Sequence, residues 1–159
     1  DETQEQLSAL ADDVFIYFGL GCRNVSKIYV PEGYQLNSLF EPWKRYSSLL
    51  HHGKYLNNYI YHKAFYELAK EEFLDMGFVI IKKDERLNSP ISVLFYEEYE
   101  SASDLNQKID KVRERVQCIV GEEVEFGKAQ FPHPIDFPDG INVCKFLATT
   151  INFRNQYER

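Results

Sequence analysis

The chain has 159 residues, of which 44% are hydrophobic, 15% aromatic and 27% charged, and its formal net charge at pH 7 is −7. This length and composition predict one folded domain with a sizeable core and exclude a disordered or low-complexity protein. The acidic balance argues against duplex nucleic acid or an anionic membrane as the main partner, because both select basic surfaces. No apolar run approaches the ~20 residues that a membrane-spanning helix needs.

The cysteines and the first residues indicate the setting of the protein. Three widely spaced cysteines, an odd number, do not form a disulfide framework. Free thiols are typical of a reducing compartment, so we expect a cytoplasmic protein. The chain begins at Asp1 with neither an initiator methionine nor a signal peptide and enters a helix almost at once. We therefore expect it to be a piece of a longer protein.

The first predicted element is an amphipathic helix over Thr3 to Phe18. Thr3 and Gln6 predict a capping box at its start, and Gly19 and Gly21 can take the conformations that end a helix. The apolar residues of the helix recur at helical spacing and are Leu7, Leu10, Ala11, Val14, Phe15 and Phe18.

Cys22 lies between these glycines and a predicted strand over Ser26 to Val30, which ends at Pro31. A thiol on a short connector between rigid elements is placed as a nucleophile requires. The end of a helix disfavours a thiolate, and Arg23 and Lys27 are the nearby cations in the sequence. The other interpretation is a small buried apolar residue, which is the commonest role of a free cysteine.

The remaining predicted elements alternate helices with strands, which is typical of a layered α/β domain. The predicted helices are a turn over Leu36 to Phe40, a short helix with Pro42 at its first position, a long helix over Tyr55 to Phe73, and a helix that Ser103 caps and that extends to Val116. The predicted strands are Phe78 to Ile81, Ile91 to Tyr96 and Val116 to Val120, with a polar connection over Lys82 to Arg86. The segment from Phe126 to Leu147 is predicted to be irregular, with one more strand or short helix.

The histidines and the other cysteines predict no further site. His51 and His52 lack the i, i+4 spacing of a zinc-binding helix and any Cys-x-x-Cys partner, so no metal is expected. His62 falls on the apolar face of the long helix and is predicted to be a core histidine. Cys118 and Cys144 have apolar neighbours, which favours structural roles for both. No glycine-rich phosphate loop is present, so a nucleotide cofactor would be bound mostly by other sequence.

From Gly19 to Val30 the sequence resembles the aldehyde dehydrogenase superfamily. In that superfamily a helix leads into a glycine-containing loop, a catalytic cysteine follows three residues after the glycine, and a strand rich in Val and Tyr comes next. Gly19, Cys22 and the strand residues Lys27-Ile28-Tyr29-Val30 match this order. Ser89-Pro90-Ile91, followed by Val93-Leu94-Phe95, is similar to the Gly-Pro-Val segment that enters a strand in the superfamily.

The resemblance is closer to the acyl-CoA reductases related to the bacterial luminescence fatty-acid reductase. The phrase that carries it is Gly21-Cys22-Arg23-Asn24-Val25-Ser26-Lys27-Ile28-Tyr29-Val30-Pro31. Further matches extend the resemblance over residues 10–147, and they are His51 to Tyr59, Gln117 to Val120 and Phe126 to Gln130.

This resemblance implies that residues 1–159 are the catalytic-cysteine domain of an oxidoreductase, with the layered α/β/α fold of the superfamily. It implies that an N-terminal cofactor domain precedes it in a longer protein, so the domain alone is expected to be inactive. The implied reaction is reduction of a fatty acyl thioester to an aldehyde by NADPH, which the other domain would mainly bind, without a metal. Cys22 would carry the acyl group, and Arg23 and Asn24 are the candidates for activating the thiol or stabilising the oxyanion.

The resemblance also implies partners. We expect acyl-CoA or another acyl thioester as substrate, acyl-transferase or synthetase proteins as partners, and a homo-oligomer when the protein is full length. No nucleic acid and no membrane is expected.

At one segment the sequence departs from the aldehyde-oxidising members of the superfamily. There a glutamate four residues before the proline contacts the cofactor ribose, and a phenylalanine lies two residues before it. The corresponding residues here are Arg86 and Asn88, so no cofactor contact is assigned to them. Two alternatives remain: an aldehyde dehydrogenase working in the oxidative direction, and a non-catalytic interaction domain in which Cys22 is buried.

Overall fold

The first helix begins as predicted and ends earlier. The structure, a computed structural model, describes residues 2–137 and 141–149. Helix α1 spans Gln4–Phe15, and the capping box is confirmed: Gln6 N donates to Thr3 Oγ1 at 3.2 Å and Thr3 N donates to Gln6 Oε1 at 2.8 Å. The predicted last turn is wrong because Tyr17 and Phe18, with φ of 56° and 61°, leave the right-handed helical region.

A mixed four-stranded sheet lies at the centre of the described residues. Strand β4 is parallel to both β1 and β3, whereas β2 is antiparallel to β3. In order across the sheet, the strands are β1 (Lys27–Pro31), β4 (Val93–Tyr99), β3 (Ile80–Lys83) and β2 (Leu74–Asp75). The predicted α/β class is therefore confirmed.

Most of the helical segments lie between β1 and β2, and α4 follows β4, whereas β2, β3 and β4 succeed one another without a helix between them. Two 3₁₀ segments flank the short helix α2, in which Pro42 is the third residue and not the first as predicted. Residues 143–149 are also helical. In chain order, the segments are a 3₁₀ turn over Leu36–Leu39, α2 (Phe40–Trp43), a 3₁₀ segment over Lys44–His51, α3 (Gly53–Ala69) and α4 (Ala102–Asp110).

The predicted helix after β4 is correct in kind but wrong at both ends. Ser101, and not Ser103, is its N-cap, because Ser101 is the extended residue whose Oγ accepts a hydrogen bond from Asp104 N at 3.2 Å. The helix ends at Asp110, well before Val116. A 3₁₀ turn over Arg113–Arg115 follows it.

Two further predictions about strands are corrected. The segment Val116–Val120 is not a strand in the described structure, since its last residue makes only an isolated bridge to Val124. Gly121, with φ of 93°, turns the chain back on itself there, so residues 119–124 bond to one another and not to the sheet. Lys82 and Lys83, predicted to be in a polar connection, belong to β3.

Hydrophobic cores lie on both faces of the sheet. Ile81 and Leu94 face α1 and α2, whereas their neighbours Ile80 and Phe95 face α3, because successive side chains of a strand alternate between faces. The first core contains Leu7, Leu10, Ala11, Val14, Phe15, Leu39, Trp43, Met76, Phe78, Val79, Ile81 and Leu94. The second core contains Tyr59, Tyr66, Ile80, Val93 and Phe95.

Trp43 anchors the first core. Its side chain is fully buried, and its Nε1 donates to the carbonyl oxygen of Leu7 at 2.9 Å. The ring of Phe15 meets it edge-on, with centroids 5.4 Å apart. The buried indole N–H is therefore paired, as a buried donor requires.

Helix α3 is apolar on both sides. Tyr59 and Tyr66 pack on the sheet, while the opposite face carries exposed apolar side chains, among which Leu68 is 85% exposed. We call this face the α3 stripe; it consists of Ile60, Tyr61, Phe65 and Leu68. Among the described residues, no helix combines the length and apolar character needed to cross a membrane.

Candidate functional site

The turn that carries Cys22 starts from strained backbone. Tyr17 and Phe18 are left-handed although neither is glycine, and Gly19, with φ of 73°, continues the reversal. A left-handed conformation costs a non-glycine residue about 1–2 kcal/mol. Phe18 is held by ring contacts with His52 and Tyr55, at centroid distances of 4.8 and 6.5 Å. The strain therefore persists because packing against the start of α3 opposes its release.

Asn24 joins this turn to the end of α1. Its Nδ2 donates to the carbonyl oxygens of Asp13 and Ile16 at 2.8 and 2.9 Å, with a longer contact of 3.3 Å to that of Val14. Its Oδ1 accepts from Gly21 N at 2.7 Å. The side chain therefore satisfies the free carbonyl groups at the end of the helix and fixes the turn around Cys22. In this arrangement its amide is engaged with the backbone and not with the thiol.

Asp13 is the buried centre of the site. Only 1% of the residue is exposed, and its carboxylate accepts hydrogen bonds from Gly127 N and Ala129 N at 2.6 and 2.9 Å. Its backbone oxygen accepts from Val25 N at 3.0 Å. Burial raises the pKa of Asp13, against the two backbone donors that lower it. One residue thus connects both the Cys22 turn and the distant 127–129 segment to α1.

Arg23 makes a second connection to the same segment. Its Nε donates to the carbonyl oxygen of Ala129 at 2.6 Å, and its Nη2 lies 3.9 Å from Asp136 Oδ2. Its side chain is only 10% exposed. Arg23 therefore fixes the segment containing Ala129 and Asp136 beside the turn.

Cys22 is exposed and lines a cavity of about 790 Å³. The alternative in which Cys22 is a buried apolar residue is therefore wrong. The cavity extends along β1 toward α4, and its apolar lining includes Leu7, Ile28, Ile109, Val112, Val116 and Phe126. A thiol at a cavity of this volume, with a lining that is partly apolar and partly polar, has access to a substrate that carries a hydrophobic group.

Three cations line the cavity, and besides Arg23 they are Lys27 and Arg115. Lys27 forms an ion pair with Glu97, with Nζ 2.5 Å from Oε2. Arg115 is exposed and makes no ion pair with any residue that the structure describes. Lys27, a candidate cation from its place in the sequence, therefore supports the wall, whereas Arg115 can pair with an anionic group of a ligand.

The other cysteines differ from each other. Cys118 is half-buried and lines the same cavity as Cys22. Burial raises the pKa of Cys118, and the nearby Arg23 lowers it in part. Cys144 is exposed, so the prediction that it is a buried structural cysteine is wrong. The apolar neighbours of Cys144 suggested burial, but Val143 and Phe146 are exposed as well.

The histidines do not form a metal centre in the described residues, which contain no group of three His, Cys, Asp or Glu side chains that could bind an ion. His52 packs against Phe18. His62 is half-buried at the edge of α3 rather than in the core, with its ring between those of Tyr61 and Tyr66, and burial lowers its pKa.

The turn from β4 into α4 is where the fold would offer phosphate binding, since a parallel strand leads there into a helix N-terminus. Ser101 caps this turn, and the carboxylate of Asp104 accepts from Glu100 N at 3.1 Å. A carboxylate thus occupies the place of a phosphate and would repel one. No glycine lies between Glu100 and Asp104 to let a pyrophosphate approach the backbone. This turn does not fit a nicotinamide nucleotide.

The sequence predicted the residues of the turn but not the residues that hold the turn in place. It singled out Cys22, Arg23 and Asn24, and the structure places all of them in one turn beside the cavity. It missed Asp13, whose only signal was a charged residue within the apolar pattern of α1. The sequence also did not predict the role of Ala129, whose backbone bonds to Arg23 and Asp13. A backbone contact cannot be inferred from the type of residue that makes it.

No protein-family model, curated protein or solved structure matches this chain.

Proposed function

We propose that this chain is the catalytic-cysteine part of an acyl-CoA reductase, a cytoplasmic oxidoreductase of the aldehyde dehydrogenase superfamily that converts a fatty acyl thioester into an aldehyde. The observation that carries the proposal is the exposed thiol of Cys22 on a turn held by Asn24, at a partly apolar cavity of about 790 Å³. The arrangement of helices around the mixed sheet would then be a variant of the layered catalytic domain of that superfamily.

In the proposed first half-reaction, the Cys22 thiolate attacks the carbonyl carbon of the acyl thioester. A carbon–sulfur bond forms to Cys22, the bond to the coenzyme A sulfur breaks, and coenzyme A leaves as a thiolate that water protonates. Backbone N–H groups of Cys22 and Arg23 are the oxyanion donors that we propose for the tetrahedral intermediate. The Arg23 side chain fixes the adjoining segment through Ala129 and supplies nearby positive charge.

The cavity accounts for both parts of the proposed substrate. Its apolar wall along β1 and α4 would hold the acyl chain, because removing a hydrocarbon chain from water is favourable by about 0.8 kcal/mol per methylene. Arg115, which lines the cavity without an ion pair among the described residues, would face a phosphate of coenzyme A.

We propose that NADPH, which supplies the hydride for the second half-reaction when bound, is held by a part of the protein outside the described residues. The turn between β4 and α4 does not fit its phosphates. We also propose that the full-length protein forms a homo-oligomer and acts with acyl-transferase or synthetase partners, as the resemblance implies.

The α3 stripe favours a second candidate function, that of a non-catalytic interaction domain. Exposed apolar side chains that adjoin one another on a helix are a feature of protein contact surfaces. Under this alternative Cys22 has no acyl-transfer role, so acylation of the thiol distinguishes the two candidates.

The test is acylation of Cys22 in the intact protein by a long-chain acyl-CoA, measured by intact mass spectrometry and reversed by hydroxylamine. Cys22→Ser should lower the acylation rate by several orders of magnitude and change the free energy of unfolding by under about 1 kcal/mol, since the swap is nearly isosteric at an exposed site. The matched control is Cys144→Ser, which removes another exposed thiol and should leave acylation unchanged. Undiminished acylation in Cys22→Ser, or an acyl group mapped to another residue, would overturn the proposal.

A further inference from the structure

Two thiols that are distant in sequence line one cavity. Cys22 lies on the turn before β1, and Cys118 lies on the segment that follows α4 and its 3₁₀ turn. Arg23, in the same turn as Cys22, also lines the cavity, and its side chain contacts Ala129 and Asp136. The third cysteine, Cys144, is not among the residues that line the cavity. The pair is therefore set by the fold and not by sequence spacing.

Both thiols lie in the same electrostatic environment. Burial raises the pKa of Cys118, Arg23 lowers it, and Asp13, Glu123 and Cys22 add smaller increases, so Cys22 and Arg23 both lie within electrostatic range of the Cys118 sulfur. Cys22 is exposed and Cys118 is half-buried. An oxidant arriving from solvent therefore meets Cys22 first, and Cys118 remains a thiol in the lining of the same cavity.

The backbone hydrogen bonds after Cys118 do not join that segment to the sheet. The backbone hydrogen bonds of residues 119–124 are local: Gly121 N donates to Val124 O at 2.7 Å, and Glu123 N donates to Ile119 O at 3.0 Å. The side chain of Gln117, just before Cys118, donates to the carbonyl oxygen of Phe137 at 3.5 Å. These backbone bonds form a small loop, so a displacement of this loop would break no backbone hydrogen bond of the sheet. The Cys22 turn, by contrast, is braced by Asn24, so the approach would come from the Cys118 side.

We propose that Cys22 and Cys118 are a peroxide-sensitive thiol pair that forms a disulfide across the cavity. The Cys22 thiolate attacks one oxygen of hydrogen peroxide, the O–O bond breaks, and the departing hydroxide takes a proton to become water. The resulting sulfenic acid is attacked by the Cys118 thiolate, which forms the S–S bond and releases the sulfenic oxygen as a second water. Both cysteines are oxidised, and the peroxide is reduced.

The disulfide would have a direct consequence for the cavity. It would remove the nucleophile and close the cavity beside it, and it would protect Cys22 from irreversible oxidation to sulfinic acid. A reducing thiol such as glutathione would restore both cysteines by exchange. The inference concerns the same thiol as the proposed acyl transfer but does not depend on that reaction.

The test is stoichiometric oxidation of the intact protein by hydrogen peroxide, followed by proteolysis without reductant and mass spectrometry. We expect a cross-linked peptide pair containing Cys22 and Cys118, a loss of two titratable thiols, and a Cys144 that still reacts with iodoacetamide. Cys118→Ser should abolish the disulfide and leave a Cys22 sulfenic acid that dimedone traps, whereas the matched control Cys144→Ser should keep the disulfide.

Other outcomes overturn the inference. A disulfide that includes Cys144, a disulfide between two copies, or oxidation of Cys22 to sulfinic acid at the same rate in the unmodified protein and in Cys118→Ser would each refute it. Acylation by acyl-CoA should survive in Cys118→Ser, so failure of this inference and failure of the proposed function give different results.

Discussion

At the scale of single residues, the site depends on side chains whose partners are backbone atoms. Asn24 bonds to Gly21 N and to carbonyl groups of α1, and Asp13 bonds to Gly127 N and Ala129 N. Neither side chain is directed to a ligand in this arrangement. Their role is to fix the backbone that presents Cys22, which is how a loop acquires the precision that a nucleophile needs.

Replacing Asn24 should therefore affect both stability and acylation. Asn24→Ala leaves Gly21 N and the carbonyl groups at the end of α1 without this partner, at an expected cost of about 1–3 kcal/mol. Because the turn loosens, acylation of Cys22 should slow by about 10- to 100-fold. Chemical denaturation and the acylation rate are measured on the same sample. Asn57→Ala on the exposed side of α3 is the matched control and should be neutral; an equal loss in both variants would contradict the role of Asn24.

Residue type alone predicted the reactive group but not what supports it. Cys22 and the adjacent glycines carry a local signal, because left-handed turns favour glycine. The left-handed backbone of Tyr17 and Phe18 could not be predicted, since aromatic residues are disfavoured there and tertiary contacts with His52 decide the outcome. Similarly, Cys144 was misassigned because apolar neighbours in sequence do not ensure burial.

At the scale of elements, Glu97 connects three of them. It lies on β4, and its carboxylate binds Lys27 of β1 at 2.5 Å and Lys108 of α4 at 2.7 Å. Burial opposes ionisation of Glu97, but the hydrogen bonds from the two lysines outweigh burial and hold its pKa below the usual 4.5. The ionised carboxylate therefore holds α4 and β1 together beside the cavity.

This lowered pKa sets the direction of a pH effect. The stability that Glu97 contributes is present above pH 4.5 and is lost as the pH falls through its folded-state pKa. Glu97→Gln should cost about 1–3 kcal/mol at pH 7, and the gap from the unmodified protein should shrink below pH 4.5. Urea denaturation across this range measures it. Glu100→Gln, exposed just beyond the same strand, is the control, and a gap independent of pH would rule out the ionic contribution.

Elements with a local physical signal were predicted, and those that depend on neighbours were not. The start of α1 was correct because Thr3 and Gln6 form a box within one turn. The cap of α4 was assigned to Ser103 because both Ser101 and Ser103 suit an N-cap, and only the extended backbone of Ser101 decides between them. A strand was predicted at Val116–Val120 because its residues favour one, but among the described residues this segment pairs with no strand and makes only the bridge from Val120 to Val124.

At the scale of the whole molecule, the two cores share the sheet and should unfold together. Alternate residues of β3 and β4 belong to opposite cores, so neither face can open while the other keeps its strands. Trp43, the single tryptophan of the chain, reports on the first core from its fully buried position. Its fluorescence is therefore a probe of one face, while far-UV circular dichroism averages over both.

A substitution in the second core should be visible from the first. Phe95→Leu removes ring volume between β4 and α3 and should destabilise the protein by about 1–3 kcal/mol. Because unfolding is cooperative, the midpoints from Trp43 fluorescence and from circular dichroism should fall together. Phe131→Leu, at a residue 70% exposed, is the control and should leave both midpoints in place. If the fluorescence midpoint stayed fixed while circular dichroism shifted, the two cores would be independent units.

The left-handed pair before the cysteine has a consequence for protein engineering. The contacts of Phe18 with His52 and Tyr55 offset the cost of its left-handed backbone, whereas Tyr17 is 65% exposed. Tyr17 is thus the obvious position for a glycine that would raise the melting temperature. Yet its ring borders Gly21, the residue immediately before Cys22. A glycine at this position would therefore raise the melting temperature but would also make the turn beside Cys22 more flexible, which would lower the reactivity of the thiol. We expect this one side chain to set a trade-off between heat resistance and reactivity.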